Sequence, residues 1–404
     1  MDSVRGEVVM VTVQDIMTDP IFEGFRIIAG KRGLYNKVSG TAIFDWEEPQ
    51  DVGETFAPGE FVITTLSEAK NRPEDLLRRI KALIDIRVSA ICIKTLFFKS
   101  VPKEIKDIAN SNDVPVFLFE DTYVDDIIYA VRNAIQGESN ADHVVEQVEE
   151  LLWDEYSAPE KSSKLIRRIS PVLYEDYVCI YISPRYQKDK RTGDLINDQF
   201  EKTTQYFLDG RIDYEQGFCT AVKLRGAILI LCSMKQAEGK KEIDELVNRI
   251  IMELDLKHRF ITGISNIHSK YDEFEHALKE SMYAGISAMV DREATMKYCE
   301  LGVDSMLIPV WDNNWIRTAY EIEIEKLQDY DRKHNAKLFE TLLVFTESEG
   351  SVSLTAMKLL QHENTVRHRL ERIRMVIGAA EQEDSYVHMY VIARLYRILQ
   401  VMMN

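Results

Sequence analysis

The stretch SLTAMKLLQHENTVRHRL, residues 353–370, decides the fold of the C-terminal part of the chain. Its apolar spacing predicts a short helix over residues 353–360 and a turn over residues 361–363. A longer helix is predicted over residues 364–377, and Gly378 follows it as a typical helix end. Two helices joined by so short a turn have the layout of a helix-turn-helix.

The apolar residues of this stretch predict how its two helices pack. Ala356 is small and allows the helices to cross closely. Leu359 on the first helix is expected to meet Val366, Leu370 and Ile373 on the second, at the spacing of one helix face. The polar residues are therefore expected to face outward.

The outward-facing residue types are suited to DNA. Amides and hydroxyls can reach base edges or phosphates, and guanidinium groups bind phosphate or guanine. Asn364 could instead cap its own helix. A solvated amphipathic helix in a bundle without DNA is the alternative interpretation. The predicted DNA-binding residues are Ser353, Thr355, His362, Asn364, Thr365, Arg367, His368, Arg369 and Arg372.

No metal or cofactor is expected at this turn. His362 and Glu363 begin like the zinc-binding pattern H-E-x-x-H, but that pattern requires a histidine where Val366 stands. The chain also contains no phosphate-binding P-loop and no G-x-S-x-G nucleophile motif, so a metabolic enzyme is the less favoured class.

Charge is distributed unevenly along the chain. The net charge is −17, which by itself disfavours a nucleic-acid partner. Residues 331–404, however, contain ten Lys and Arg against nine Asp and Glu, and residues 358–374 contain five cations against two anions. An acidic protein with one small basic face is compatible with DNA binding by that face.

Composition indicates a multidomain cytoplasmic protein. A chain of 404 residues is long enough for several domains with their own cores. Five cysteines without a C-x-x-C pair argue against a disulfide framework and favour a reducing compartment. Neither a secretory signal nor an apolar run of about 20 residues is visible, so no membrane partner is expected.

Residues 1–137 alternate strand and helix patterns and predict a parallel α/β sensor domain. Ligands of such sheets bind beyond the carboxyl ends of the strands. The residues predicted at those ends as a site for a small polar effector are Asp45, Trp46, Thr64, Thr65, Lys94 and Glu120. In the alternative interpretation, the threonines cap loops, Lys94 pairs with a carboxylate and Trp46 is a core residue.

Three further segments follow. Residues 138–170 are predicted as a helical linker, whose apolar face (Val144, Val148, Leu151 and Leu152) either packs on a domain or forms a dimerising coil. Residues 171–305 predict a second α/β domain. Residues 315–404 predict an all-α domain that contains the helix-turn-helix.

The motifs resemble those of PucR-type transcription regulators. Residues 350–378 are similar to the C-terminal helix-turn-helix of that family through Ala356, Leu359, His362, Asn364, Thr365, Val366, Arg367, Arg369, Leu370 and Gly378. Glu363 stands where the family usually has arginine, and His368 where it usually has an aromatic residue. Residues 16–66 resemble the N-terminal domain of the family through Gly33-Leu34, Val38 and the run from Pro58 to Thr65.

The resemblance implies a fold for the middle of the chain and a function for the whole. Residues 171–305 would be a degenerate domain related to nucleotide cyclases. The cyclase turn Gly-Gly-Asp/Glu-Glu-Phe is missing from the sequence, so no catalytic residue is expected. The family resemblance implies a regulator of purine, amino-acid or sugar-acid catabolism that binds an operator in double-stranded DNA. It also implies a small-molecule effector and a homodimer or higher homo-oligomer.

Overall fold

The computed structural model describes residues 11–70, 72–135, 141–153, 159–170, 172–185, 192–209, 211–212, 216–235, 240–379 and 384–403. The chain divides into two compact units, Met1–Met282 and Tyr283–Asn404. No helix among the described residues is long and apolar enough to cross a membrane.

The first half of the first unit alternates strands and helices, as its sequence predicts. Its elements are α1 (Val13–Met17), β1 (Arg26–Ala29), β2 (Gly40–Ile43), α2 (Val52–Thr55), β3 (Glu60–Thr64), α3 (Pro73–Asp85), β4 (Ala90–Lys94), α4 (Lys103–Ser111), β5 (Val116–Phe119) and α5 (Val124–Ile135). Short 3-10 helices occupy Pro20–Phe22, Lys31–Tyr35 and Ser67–Ala69.

The five strands form one sheet in the order β1-β5-β4-β3-β2. Strands β2, β3, β4 and β5 run parallel to one another, which agrees with the prediction. Strand β1 is antiparallel to β5, with Arg26 opposite Leu118, so the prediction of an entirely parallel sheet is wrong at this edge. Strand β1 is at the edge of the sheet, and an antiparallel edge strand is common on otherwise parallel sheets.

Both faces of this sheet are covered, which explains the nearly continuous apolar strands. One face, including Phe61 and Phe117, contributes to a core that also holds Ile127 of α5. The other face, including Ile91, packs with residues of α3 and α4 such as Ile105. A parallel sheet buried on both faces requires this composition.

Two helices follow, α6 (Ala141–Trp153) and α7 (Pro159–Ile169). The predicted apolar face of α6, formed by Val144, Val148, Leu151 and Leu152, is buried within the single chain. This burial favours packing on the chain's own domains over a dimerising coil, because the apolar face is already covered.

The remaining elements of the first unit form a second α/β layer. They are β6 (Asp176–Pro184), α8 (Thr192–Leu208), β7 (Gly217–Lys223), β8 (Ile228–Met234), α9 (Lys240–Glu253), α10 (Leu256–Arg259), β9 (Phe260–Ile264) and the beginning of α11 (Phe274–Asp291). Strands β9, β6, β8 and β7 are neighbours in that order, and the pairings of β6 with β8 and β9, and of β7 with β8, are antiparallel.

The two halves of the first unit share one apolar core. That core includes Leu34 of the N-terminal half and Ile180 of the second sheet. Hydrogen bonds cross the same junction. The Tyr35 hydroxyl donates to the Cys219 carbonyl oxygen at 2.8 Å, and the Gln14 amide donates to the Ile169 carbonyl oxygen at 2.5 Å.

A histidine held between two carboxylates anchors the N-terminal part of α11. His268 lies with Nε2 3.0 Å from Glu280 and Nδ1 3.3 Å from Glu273, and its side chain is largely buried. Burial alone would lower the pKa of His268. The hydrogen bonds and charges of Glu280 and Glu273 outweigh that effect and raise the pKa.

The second unit is almost entirely helical, as predicted. Its elements include the strand β10 (Thr295–Lys297) and the helices α12 (Asp304–Leu307), α13 (Asn314–His334), α14 (Leu338–Glu347), α15 (Val352–Leu359), α16 (Glu363–Val376) and α17 (Ser385–Met402). Side chains from α13 to α17 meet in one core that contains Leu327, Leu342, Leu370 and Leu395.

A buried ion cluster fixes α17 in this unit. Arg394 donates to Asp304 from Nε at 2.7 Å and to Asp291 from Nη2 at 2.8 Å, and Ser287 also donates to Asp304. Burial alone would lower the pKa of Arg394, but the two carboxylates raise it. Loss of one partner from such a buried cluster leaves an uncompensated charge, so the whole arrangement constrains the helix.

The paired histidine makes the stability of the first unit depend on pH. Because the pKa of His268 is raised by folding, its contribution is complete below the unfolded pKa of about 6.5 and is lost as pH rises through the folded pKa. We expect the difference in melting temperature between the wild type and His268→Gln to be greatest near pH ~6 and to narrow at higher pH.

Thermal unfolding of the full chain over a pH series measures this difference. His258→Gln is the control, since His258 is also 2.8 Å from a carboxylate, that of Asp255, but is exposed. A difference for His268→Gln that is independent of pH would contradict the role assigned to the charged imidazole.

Candidate nucleic-acid interface

Helix α15 begins after a turn that only glycine fits. Gly350 has φ +77°, and a Cβ there would lie 2.8 Å from Cε2 of Tyr386. Ser351 caps the helix, because its hydroxyl accepts a hydrogen bond from the backbone N–H of Leu354 at 3.3 Å. Local sequence therefore fixes both the start of α15 and the direction from which the chain enters it.

The turn between α15 and α16 agrees with the prediction. Leu360 adopts a left-handed conformation with φ +52°, and the N–H of Gln361 donates to the Ala356 carbonyl oxygen at 2.9 Å. His362 then caps α16, since its Nδ1 accepts from the backbone N–H of Asn364 at 3.2 Å. The N-cap is thus His362, and the alternative role of Asn364 as a cap is wrong.

Three residues of α16 bury its inner face. Val366, Leu370 and Ile373 are at most 3% exposed and belong to the helical core, together with Ala356 of α15. Leu359, which was also expected to hold the two helices together, is only half-buried. Of these two residues of α15, Ala356 belongs to the core and Leu359 does not.

The opposite face of α16 carries polar side chains. Asn364, Arg367, His368 and Arg372 are all exposed, at the spacing of one helix face. Ser353 at the start of α15 and His362 at the turn are exposed as well, and Thr365 is half-buried. The structure therefore brings together most of the residues predicted from the sequence as DNA contacts.

Two of the predicted contacts lie elsewhere. Thr355 is fully buried, and its hydroxyl donates to the Ser351 carbonyl oxygen at 2.7 Å. Arg369 is turned inward, and its Nη1 donates to the hydroxyl of Thr341 on α14 at 3.2 Å. Both residues stabilise the helical domain in this structure and do not belong to its outward polar face.

Arg367 is held by two neighbours on the outward face. Its Nη2 lies 2.8 Å from a carboxylate oxygen of Glu363, and its Nη1 donates to the amide oxygen of Asn364 at 3.2 Å. The pair is solvent-exposed, so it contributes only about 0.3–0.5 kcal/mol and can be replaced by a phosphate at low cost. The i, i+4 spacing would have predicted this ion pair from the sequence.

Other cations complete the charge of the surface. The guanidinium of Arg372 lies 5.7 Å from the centroid of the Tyr330 ring, which orients it. Lys358 of α15 is exposed and donates to the Glu347 carbonyl oxygen at 3.4 Å. Lys358 was not among the predicted contacts. Its position three residues before the turn could have indicated that it lies near the DNA.

The predicted effector site is at the expected edge of the first sheet, and most of its polar groups are already hydrogen-bonded. The Asp45 carboxylate accepts from the Thr65 N–H at 2.8 Å, from the Thr65 hydroxyl at 2.8 Å and from the Thr64 hydroxyl at 3.3 Å. Thr64 is buried and accepts from the Leu66 N–H. The threonines therefore support a loop, as in the alternative interpretation.

The rest of that edge is open. Trp46 is 75% exposed, so it is not the core residue of the alternative interpretation, and Glu120 is exposed too. Lys94 donates to the Thr122 carbonyl oxygen at 3.0 Å and lies 5.9 Å from the Tyr123 ring centroid. Lys94 thus binds a backbone oxygen and an aromatic ring, where the alternative interpretation expected a carboxylate.

The helical unit defines a helix-turn-helix domain with an outward polar face on its second helix. Residues 338–381 match the model of the PucR C-terminal helix-turn-helix domain, and residues 15–135 match that of the Purine catabolism regulatory protein-like family. The resemblance to PucR-type regulators is confirmed at both ends of the chain.

Two curated proteins of Bacillus subtilis (strain 168) are similar over shorter stretches. The DNA-binding transcriptional activator AdeR is 36% identical over 80 residues, which are 20% of this chain and 19% of that protein. The Purine catabolism regulatory protein is 29% identical over 125 residues, 30% of this chain and 23% of that protein. The matched stretches thus cover about a fifth of the length of these relatives.

A solved structure is also similar to part of this chain. It is the Regulator of Polyketide Synthase Expression from Bifidobacterium adolescentis, with 18% sequence identity and a TM-score of 0.28. The match covers 64% of this chain and 97% of that one.

The buried face of α16 should determine the stability of the second unit. Leu370 is 3% exposed and Met375 on the same helix is 52% exposed. We expect Leu370→Ala to lower the free energy of unfolding of this unit by about 2–5 kcal/mol, because it leaves a cavity in the core. Met375→Ala should change it by less than about 0.5 kcal/mol.

Chemical denaturation of the full chain, with unfolding monitored by circular dichroism, checks this prediction. Equal effects of the two substitutions would show that α16 does not pack through the face that contains Leu370.

Proposed function

We propose that the protein is a DNA-binding transcription regulator that reads its operator with α16. The observation that carries the proposal is the exposed row formed by Asn364, Arg367, His368 and Arg372, opposite the buried face of the same helix. An α-helix fits the major groove of B-DNA, where amide and guanidinium groups can bond to base edges. The helix-turn-helix match and the name of the similar activator AdeR support the same function.

The turn supplies groups suited to the DNA backbone. The first backbone N–H groups of α16 follow His362 and carry the positive end of the helix dipole, which favours phosphate. Lys358 lies on the adjacent helix and adds a second positive group. Phosphate contacts would fix the position of α16 on the duplex, and its outward side chains would select the sequence.

The remaining parts of the chain are proposed to control this binding. A small-molecule effector in the first unit would change how two helix-turn-helix domains of a homodimer are held. A dimer that places its two recognition helices about 34 Å apart would reach successive major grooves. The regulated genes are proposed to serve a catabolic pathway of the purine, amino-acid or sugar-acid type, in the cytoplasm.

We assign no enzyme activity to the central segment. Its sheet is proposed to be a degenerate relative of the nucleotide-cyclase fold, and the Gly-Gly-Asp/Glu-Glu-Phe turn of those enzymes does not occur in the sequence. The segment would then connect the sensor half of the first unit to the helical unit.

Substitution of one exposed arginine tests the proposed interface. We expect Arg367→Ala to weaken binding to a duplex selected by the wild type from random sequence, by about 1–3 kcal/mol or roughly 5- to 150-fold. Arg317→Ala is the matched control, since Arg317 forms an i, i+4 ion pair with Glu321 at the same 2.8 Å on α13. It should bind within about twofold of the wild type.

Fluorescence anisotropy over a series of salt concentrations measures both affinity and its salt dependence. If the wild type selects no duplex, or if the two arginine variants bind alike, the proposed function is contradicted.

The carboxylate beside Arg367 should oppose DNA binding. We expect Glu363→Gln to bind the selected duplex about two- to fivefold more tightly, because it removes a negative charge near phosphate and frees the guanidinium. Glu321→Gln, which removes the corresponding charge on α13, should leave the affinity unchanged. Weaker binding by Glu363→Gln would mean instead that the ion pair is needed to orient Arg367.

A further inference from the structure

A small positively charged cleft lies at one corner of the first sheet, and none of the residues predicted for the effector site lines it. Its volume is about 230 Å³. Three cationic side chains line it: Arg26, Lys99 and Lys106. Its apolar lining consists of Ile28, Val101 and Leu118.

The topology of the sheet brings these residues together from distant parts of the sequence. Arg26 begins β1 and is paired with Leu118 of β5, while Lys99 follows the carboxyl end of β4 and Lys106 lies on α4. The cleft is therefore beside the carboxyl ends of β4 and β5, where ligands of parallel sheets bind. Arg26 reaches this corner because β1 is antiparallel to β5.

The cations of the cleft form no ion pairs within the part of the chain that the structure describes. No ion pair joins Arg26, Lys99 or Lys106 to an acidic side chain among the described residues. The chain as a whole has a net charge of −17, whereas three cations surround this one small cavity. Like charges repel one another, so an anion in the cleft would stabilise their arrangement.

Two further donors are present at the same place. Ser100 also lines the cleft, and its hydroxyl can donate to an oxyanion. Ser100 and Val101 lead directly into α4, a helix of nine residues whose N-cap, Pro102, offers no side-chain cap. The positive end of this helix adds to the attraction for negative charge.

The size and lining of the cleft restrict the ligand. A volume of 230 Å³ is below the roughly 300–1,000 Å³ of sites for drug-sized ligands, so the ligand has few heavy atoms. The apolar lining accommodates a short carbon skeleton, and three cations suit at least two negative charges. We propose that this cleft binds a small organic dianion, which carries either two carboxylates or a phosphate.

The proposed dianion would be the effector of the regulator, and this part rests on the proposed function. Binding would join β1, the loop after β4 and helix α4, which are three separate segments of the sensor half. A ligand that ties these segments together stabilises one arrangement of them over others, as an effector must.

Isothermal titration of the full chain without DNA tests the site. The probes are succinate, inorganic phosphate and succinamide, which is the neutral analogue of succinate. We expect succinate or phosphate to bind and succinamide not to bind. Binding of succinate alone identifies the dicarboxylate class, and binding of phosphate alone identifies the phosphorylated class.

Substitutions then locate the binding. The double variant Lys99→Gln/Lys106→Gln should bind the anion at least about tenfold more weakly, since it loses two charge-assisted contacts. Lys103→Gln is the control, because Lys103 is an exposed lysine of the same helix and does not line the cleft. It should bind within about twofold of the wild type.

Three results would overturn the proposal: neither anion binds, the double variant binds as the wild type does, or the double variant loses affinity for DNA without anion. The last result would show that the cleft contacts DNA. Because the titration contains no DNA, a failure of anion binding leaves the proposed function standing.

Discussion

The packing of α16 through one narrow face is the constraint on which the rest of the interface depends. Val366, Leu370 and Ile373 lie at helical spacing and are buried in the core of the second unit. Burial of each such side chain contributes about 1.5–3 kcal/mol, so the helix has one strongly preferred rotation about its axis. Because the side chains are fixed to that helix, the same rotation turns Asn364 and Arg367 toward solvent. The surface that we propose to bind DNA is therefore a consequence of core packing.

The outward face of α16 carries little net positive charge, and this affects how it is proposed to bind DNA. Arg367 is partly neutralised by Glu363, and Arg369 is bound to Thr341 inside the domain. The protein as a whole is acidic, so long-range attraction to DNA is small and contacts at the surface must supply the affinity. A weakly charged DNA-binding surface lowers the affinity for non-specific DNA as well as the total affinity. The ratio of specific to non-specific affinity can therefore be higher.

Much of the fold follows from local patterns in the sequence, and the exceptions have physical causes. The two helices around Gln361 follow from apolar spacing and caps, which act within a few residues. The same spacing also predicts that Thr355 is buried beside Ala356, as it is in the structure. The antiparallel direction of β1 depends on long-range pairing with β5, which no local pattern encodes. For the same reason Arg26 and Lys106, 80 residues apart, could not be associated before the topology was known.

Hydrogen exchange with mass spectrometry, on the full chain with and without its selected duplex, tests the central claim most directly. The backbone N–H groups at the start of α16 have no acceptor within the helix, apart from the cap that His362 gives Asn364. If α16 enters the major groove, peptides that cover residues 360–368 become protected when DNA is added, while those covering residues 314–325 of α13 do not. Protection confined to α13 or to the first unit, with residues 360–368 unchanged, would contradict the account.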